Sequence, residues 1–259
     1  MKIAVMGAGA FGTALGEVLL SNGYEVEYYD AKMSDVKLGD VVEGAEVIVL
    51  AVPSVAAPYL LPHLPKDIPL VVATKGILSI NAFKDFQDYM ILSGPGFADD
   101  IKAGKKTHLV ATDERIVQMF GTDYLTFDYT EDRQGVLMCG ALKNVYAIAA
   151  GLLGLKPGEK AHTNFLRDVV REMKLILVAN GALADTVDLP CGKGDLKITC
   201  AEPSRNYEYG VKLLQNPKYL PEKTVEGLSA LKKIQRGEIV VPKEAKYLCE
   251  LMTDDRLKG

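Results

Sequence analysis

The sequence predicts an α/β chain: a doubly wound parallel sheet followed by an all-helical C-terminal domain. Three observations lead there. Short β-rich runs alternate with helical patterns through the first half, as in a parallel sheet with crossover helices. A glycine-rich turn separates the first run from the first helix, and from about Arg133 onward the pattern is helical without interruption. The first domain is accordingly placed at residues 1–132 and the second at residues 133–259.

Residues 2–6 read as the first strand and residues 11–21 as a helix, with Gly23 as a left-handed stop after it. Residues 25–29 make a second strand that ends at Asp30. The runs 46–52 (EVIVLAV) and 70–74 (LVVAT) are apolar throughout, as strands buried on both faces are; Pro53 and Gly76 mark their exits. Residues 90–93, 108–111 and 124–127 are weaker strand patterns. Residues 136–155 (VLMCGALKNVYAIAAGLLGL) are about as long as a bilayer span. Lys143 and Asn144 stand near the centre, where a charge is costly in lipid, so a buried core helix is expected instead.

Bulk properties narrow the function. A chain of 259 residues, 48% hydrophobic and 25% charged, has the length and composition of two globular domains and not of a disordered segment. A net charge of -4 with no dense Lys/Arg block lacks the basic stripe that nucleic acid needs. Cys139, Cys191, Cys200 and Cys249 form no C-x-x-C pair, which suits a reducing, cytoplasmic compartment. The apolar opening is too short for a signal peptide. His63, His108 and His162 lie too far apart in sequence for a metal-ligand motif, and no G-x-S-x-G elbow is present.

The sharpest motif is Gly7-Ala8-Gly9-Ala10-Phe11-Gly12, a G-x-G-x-x-G that follows a strand and opens a helix. That context makes it a dinucleotide fingerprint of the Rossmann type. Gly7 permits the tight turn, Gly9 lets backbone approach a pyrophosphate, and Gly12 lets the helix pack closely on the strand. The helix N-terminus then presents free N–H groups to the phosphates. Asp30, about 20 residues on, is placed to accept from a ribose 2′-OH. Ala31 follows it, so no adjacent base holds a 2′-phosphate, which favours NAD over NADP. The other reading of Asp30 is a cap for the turn at Ala31 and Lys32.

The second half carries the candidate chemistry. Lys143 is surrounded by apolar residues, so its ammonium is expected at a cleft between the domains, where desolvation lowers its pKa toward neutrality, as a general acid/base requires. In Gly192-Lys-Gly-Asp195-Leu-Lys-Ile-Thr199-Cys, a helix starts after a glycine turn, and Asp195 and Thr199 share a face. Ser204-Arg205-Asn206 sets a cation between hydrogen-bonding side chains, suited to a small phosphate or carboxylate. Caps or surface turns would account for these segments equally well.

In order along the chain come GAGAFGTAL, AVPS (residues 51–54), TKG (74–76), GPGFA (94–98), GALKNVYAIAAG (140–151), GKGDLKITC and SRN. With them the sequence resembles the NAD(P)-dependent glycerol-3-phosphate dehydrogenases of the bacterial type, from Met1 to about Pro242. The resemblance implies a Rossmann domain plus a helical domain. It also implies reversible hydride transfer between NAD(P)H and dihydroxyacetone phosphate, giving sn-glycerol 3-phosphate, a phospholipid precursor. It assigns proton transfer to Lys143, a second active-site lysine to Lys75, and hydroxyl holding and lysine orientation to Asp195 and Thr199. Ser204, Arg205 and Asn206 fall at the phosphate end of the site, with Gly94 and Asn144 also toward substrate. Ala10, Phe11, Pro53, Ala98 and Glu226 match cofactor contacts, shared by Lys75 and Arg205. Family members are often homodimers.

The chain also departs from the family pattern. The stretch between Asp30 and Glu46 is short where relatives carry an extra strand and helix, and the C-terminal domain is trimmed. Gly96 replaces a Ser or Thr, Glu159-Lys160 replaces Asp-Asn, Lys193 replaces an apolar residue, and Tyr207 replaces an arginine. Two alternatives stay open at this point: a related reductase of another small hydroxy or keto acid, and a non-catalytic NAD-binding protein.

Overall fold

A computed structural model describes residues 1–33 and 35–257. The chain forms two compact units, one of Met1–Thr74 with Ile80–Arg133, the other of Lys75–Ser79 with Gln134 onward. The excursion Lys75–Ser79 and the single residue Arg133 are the differences from a division into residues 1–132 and 133–259. The excursion follows a strand of the first unit in sequence but packs with the second, where the Gln134 side-chain amide donates to the Leu78 carbonyl at 2.8 Å.

The first unit is a seven-stranded sheet in the order β2-β1-β3-β4-β5-β6-β7. The strands are β1 (Lys2–Met6), β2 (Glu25–Tyr29), β3 (Val47–Leu50), β4 (Leu70–Val72), β5 (Tyr89–Ser93), β6 (Thr107–Ala111) and β7 (Leu125–Tyr129). The helices are α1 (Ala10–Ser21), α2 (Leu38–Val42), α3 (Ala57–Leu60), α4 (Ala98–Lys102) and α5 (Glu114–Phe120). The first five strands run parallel, but β6 is antiparallel to β5, and β7 is parallel to β6. The doubly wound sheet is thus mostly parallel, with its last two strands reversed relative to the first five. Residues 94–106 contain only the five-residue α4, and the chain turns back there instead of crossing over.

The apolar runs extend past the ends of β3 and β4, where the Ala73 N–H still donates to the Leu50 carbonyl at 2.9 Å. The Thr74 hydroxyl is 3.2 Å from the Leu50 carbonyl and 2.9 Å from that of Val52, binding the end of β3 to the exit of β4. One sheet face buries Ile3, Val5, Val49, Val71 and Leu92 against α1, α4 and α5.

The second unit contains α6 (Arg133–Leu152), α7 (Lys160–Ala179), α8 (Asp195–Thr199), α9 (Arg205–Gln215), α10 (Glu226–Gln235) and α11 (Lys246–Thr253). Its organising element is α6, the only described helix long and apolar enough to cross a membrane, and it is buried from Gly135 to Leu152. A helix apolar on all sides belongs inside a packed unit. Three of its polar side chains each meet a partner on a different helix. Lys143 meets Asp195 of α8, Asn144 meets Asn206 of α9, and the Tyr146 hydroxyl donates to Glu172 of α7 at 2.9 Å. Glu172 in turn accepts from the Tyr247 backbone N–H at 2.9 Å, which fixes the start of α11.

Glycines let the helices close on α6. A Cβ at Gly151 would run into the α9 backbone at Tyr207, Gly210 and Val211, and one at Gly210 into α6 at Ile148 and Leu152. A Cβ at Gly227 would strike the Asn144 carbonyl. These backbone contacts bring the N-terminal ends of α9 and α10 to the stretch of α6 that carries Lys143 and Asn144.

Candidate active site

In the first unit, the predicted cofactor residues gather at the carboxyl ends of the parallel strands, where open α/β sheets bind ligands. Gly7 leaves β1 with φ +110°, and a Cβ there would press on the Ala51 carbonyl at 2.8 Å. Gly12 lies against the Gly7 carbonyl, whereas a Cβ at Gly9 would point into open space. That space, beside the N-terminus of α1, is what a pyrophosphate needs: a free approach to backbone N–H groups. Gly9, at the N-cap of α1, makes no side-chain cap hydrogen bond.

Asp30 closes the turn at Ala31 and Lys32 that the sequence allowed for it. Its Oδ1 accepts from the Lys32 N–H at 3.0 Å, closing the turn, and its Oδ2 accepts from the Ala8 N–H at 3.1 Å. The carboxylate thus stands at the rim of the glycine loop. Pro53 follows β3, and its carbonyl accepts from the Ala56 N–H at 2.9 Å. Ala98 starts α4, and both it and Phe11 pack on the same apolar cluster. Gly94 follows β5 with φ +142°. A Cβ at Gly96 would meet Leu109, Ile101 and Thr107 at 3.2–3.4 Å, so a side chain at that position faces packed neighbours. The residues present fit a dinucleotide.

In the second unit, Asp195 stands between two lysines. Its Oδ1 is 2.5 Å from Lys143 Nζ and its Oδ2 is 3.3 Å from Lys75 Nζ. The Thr199 hydroxyl donates to the Asp195 carbonyl at 2.6 Å and lies 3.4 Å from Oδ1. Burial separates the two lysines: the Lys143 side chain is 5% exposed and that of Lys75 is 22% exposed. Desolvation lowers the Lys143 pKa to about 7, with the Lys75 charge adding to the fall and Asp195 opposing it. Two ammonium groups around one carboxylate leave an excess of positive charge when both are protonated. An electron-rich oxygen would complete the set.

A π-helical turn, Pro190–Gly194, delivers Asp195 to this place in lieu of a simple glycine turn. Gly192 lies so close to the Val187 carbonyl that no Cβ fits. Such turns are rare and occur frequently at functional sites. Lys193 pairs with Asp188 at 3.4 Å, so its ammonium does not compete for Asp195.

The last group is split. Asn144 Oδ1 accepts from Asn206 Nδ2 at 2.9 Å, and Asn206 Oδ1 accepts from the Gly227 N–H at 2.9 Å, so both amides tie helices together. Ser204 is buried immediately before α9. Arg205, at the first position of α9, lines a cavity of about 240 Å³ with Tyr209, Lys212, Tyr219 and Lys223. Glu226 opens α10 next to Gly227. The Tyr207 hydroxyl donates to the Leu155 carbonyl at 2.6 Å, fastening the end of α6. Sequence reasoning gave His162 no role; it is buried, and its Nε2 lies 2.8 Å from the Cys200 carbonyl. Its place on the buried face of the amphipathic α7 is the signal that could have marked it.

Comparison with known proteins fits this geometry. A family model described as NAD-dependent glycerol-3-phosphate dehydrogenase C-terminus matches residues 132–246. A curated glycerol-3-phosphate dehydrogenase (NAD(P)+) of Rhizobium etli is 33% identical over 267 aligned residues, covering 85% of this chain and 82% of its own. The chain belongs to the NAD(P)-dependent glycerol-3-phosphate dehydrogenase family. A second family member, from Leptospira biflexa, is 32% identical and covers 92% of this chain and 85% of its own. In fold, the glycerol-3-phosphate dehydrogenase structure from Coxiella burnetii aligns with a TM-score of 0.80 at 23% identity, over 98% of this chain and 95% of that one. The corresponding structure from Plasmodium falciparum gives 0.77 at 18% identity, over 99% and 93%.

Proposed function

We propose that this chain reversibly transfers a hydride between NAD(P)H and dihydroxyacetone phosphate, giving sn-glycerol 3-phosphate, with Lys143 as the proton donor and acceptor. The observation that carries the proposal is the Lys143–Asp195–Lys75 arrangement, in which one ammonium is buried and poised near pH 7. Family membership supplies the substrate class.

Bound nicotinamide supplies and accepts the hydride; Gly7, Gly9, Ala10, Phe11, Gly12, Pro53, Ala98 and Glu226 are the residues proposed to hold the dinucleotide. In reduction, the Lys143 ammonium gives its proton to the ketone oxygen as negative charge builds there, and Lys75 stabilises that charge from a second direction. In oxidation, the neutral Lys143 amine takes the proton from the C2 hydroxyl. Asp195 holds both lysines in place, and Thr199 holds Asp195. Arg205 and Ser204 hold the substrate phosphate, a dianion suited to a guanidinium with flanking donors. Asn144 and Asn206, Gly94 and the Lys75 side chain complete the substrate contacts. The Asp30 carboxylate at the rim of the glycine loop repels a 2′-phosphate and accepts from a 2′-OH, so NAD is the preferred cofactor. The burial of α6 from Gly135 to Leu152 supports a helix of the core over one that spans a membrane.

The test is NADH oxidation by the purified protein with dihydroxyacetone phosphate, unphosphorylated dihydroxyacetone and a panel of 2-oxo acids. Turnover with the phosphorylated ketone alone is expected. Equal or better turnover with a 2-oxo acid would reassign the substrate, and none with NADH or NADPH would remove the assignment.

A further inference from the structure

Of the three histidines only His162 is buried, in the first turn of α7. Its Nε2 is 2.8 Å from the Cys200 carbonyl oxygen, which can only accept, so the imidazole carries its proton on Nε2 and donates it. Cys200 is the residue on which α8 ends, and its carbonyl lies beyond the reach of the helix's own ladder. The chain then turns, with the Ser204 N–H donating to the Ala201 carbonyl at 3.0 Å, and α9 begins at Arg205.

This hydrogen bond therefore lies at the joint between two sets of residues. On one side are Asp195 and Thr199, on the other Ser204, Arg205 and Asn206. At five residues, α8 is far too short to hold its own shape, because a helix of one turn barely repays its nucleation. Its position depends on what grips its ends: the π-helical turn and the two lysines on Asp195 at its start, and the His162 donor after it.

We propose that His162 is a positioning residue: its Nε2–H pins the Cys200 carbonyl and thereby sets where Asp195 and Thr199 stand against Lys143, and how far Arg205 lies from them. The consequence for turnover rests on the function proposed above; the consequence for the structure does not. The titratable groups around Lys143 are Asp195, Lys75 and the Cys200 thiol. Burial pushes the thiol pKa up, which keeps it neutral, so the countercharge comes from Asp195. If α8 drifts, that attraction weakens and the Lys143 ammonium loses its proton at lower pH.

Two substitutions test this. His162→Leu keeps the apolar bulk and removes the donor, whereas His162→Gln places an amide N–H at nearly the same reach. His162→Leu should lower kcat for dihydroxyacetone phosphate reduction about 10- to 100-fold and move the falling limb of its pH profile to lower pH, with His162→Gln recovering most of both. A kcat and profile unchanged in His162→Leu would overturn the proposal, as would equal losses in both variants with the profile unmoved. Amide hydrogen exchange over residues 195–206 gives an answer independent of turnover. Exchange there should be faster in His162→Leu, near wild type in His162→Gln, and unaltered along α6. If the wild-type protein does not reduce dihydroxyacetone phosphate, the functional reading fails and exchange alone decides the pin; equal protection in His162→Leu and wild type refutes it. Should His162→Leu not fold, His162→Asn, whose amide stops short of the carbonyl, takes its place with the same expectations.

Discussion

Burial and charge act on Lys143 in opposite directions, and burial is the larger effect, leaving a pKa of about 7 in place of the ordinary 10.5. Two measurements follow from the sign. Reduction needs the ammonium, so kcat for dihydroxyacetone phosphate should fall as pH rises through about 7; oxidation of glycerol 3-phosphate needs the amine and should rise over the same range. Stability is linked to the same proton. Between about 7 and 10.5 the unfolded chain binds a proton at this lysine that the folded chain does not, so stability rises with pH across that window. Denaturation midpoints taken through the window should show that slope in the wild type and a shallower one in Lys143→Met. An equal slope in both proteins would mean that Lys143 is protonated normally in the fold. The residue itself was legible, because a lone charge in an apolar helix demands a reason. Its partner was less so: Lys75 and Asp195 are 120 positions apart, and no local pattern reports that they meet.

At the scale of elements, α6 is the axis on which the second unit is assembled, and its glycine contacts make a direct prediction. Gly210→Ala forces a methyl into the α6 backbone and should cost about 1–3 kcal/mol, the range for overpacking. Gly39→Ala is the control, since a Cβ there meets nothing within 4 Å; relief of glycine's backbone entropy should leave it neutral or more stable by about 0.5–1 kcal/mol. Urea unfolding distinguishes the two, and a neutral Gly210→Ala would mean that the helices can separate without loss. The strands were readable from their apolar runs, but the direction of β6 was not, because periodicity carries no sense of direction and the short connection after β5 decides it. The π-helical turn was equally hidden. It depends on Gly192 fitting against Val187, a contact that exists only once the chain is folded.

At the scale of the whole molecule, the glycine loop and the strand ends fit the dinucleotide that membership of an NAD(P)-dependent family calls for. The Asp30 carboxylate should give NADH at least about a tenfold advantage in kcat/KM over NADPH, or ~1.4 kcal/mol, and Asp30→Ser should erase most of it. Parity between the cofactors in the wild type would show that Asp30 serves only the turn. The order of sheet unit and helical unit along the chain could be read in advance, except that Lys75–Ser79 continues from a strand of one unit and packs in the other. That assignment depends on tertiary contacts, which the run LVVAT does not encode.

The most direct measurement compares kcat for dihydroxyacetone phosphate reduction, together with the Kd for NADH, in wild type and Lys143→Met. Loss of a general acid predicts a fall in kcat of about 10²- to 10⁴-fold with the NADH affinity essentially unchanged. Retention of wild-type kcat in Lys143→Met would contradict the assignment of proton transfer to this residue.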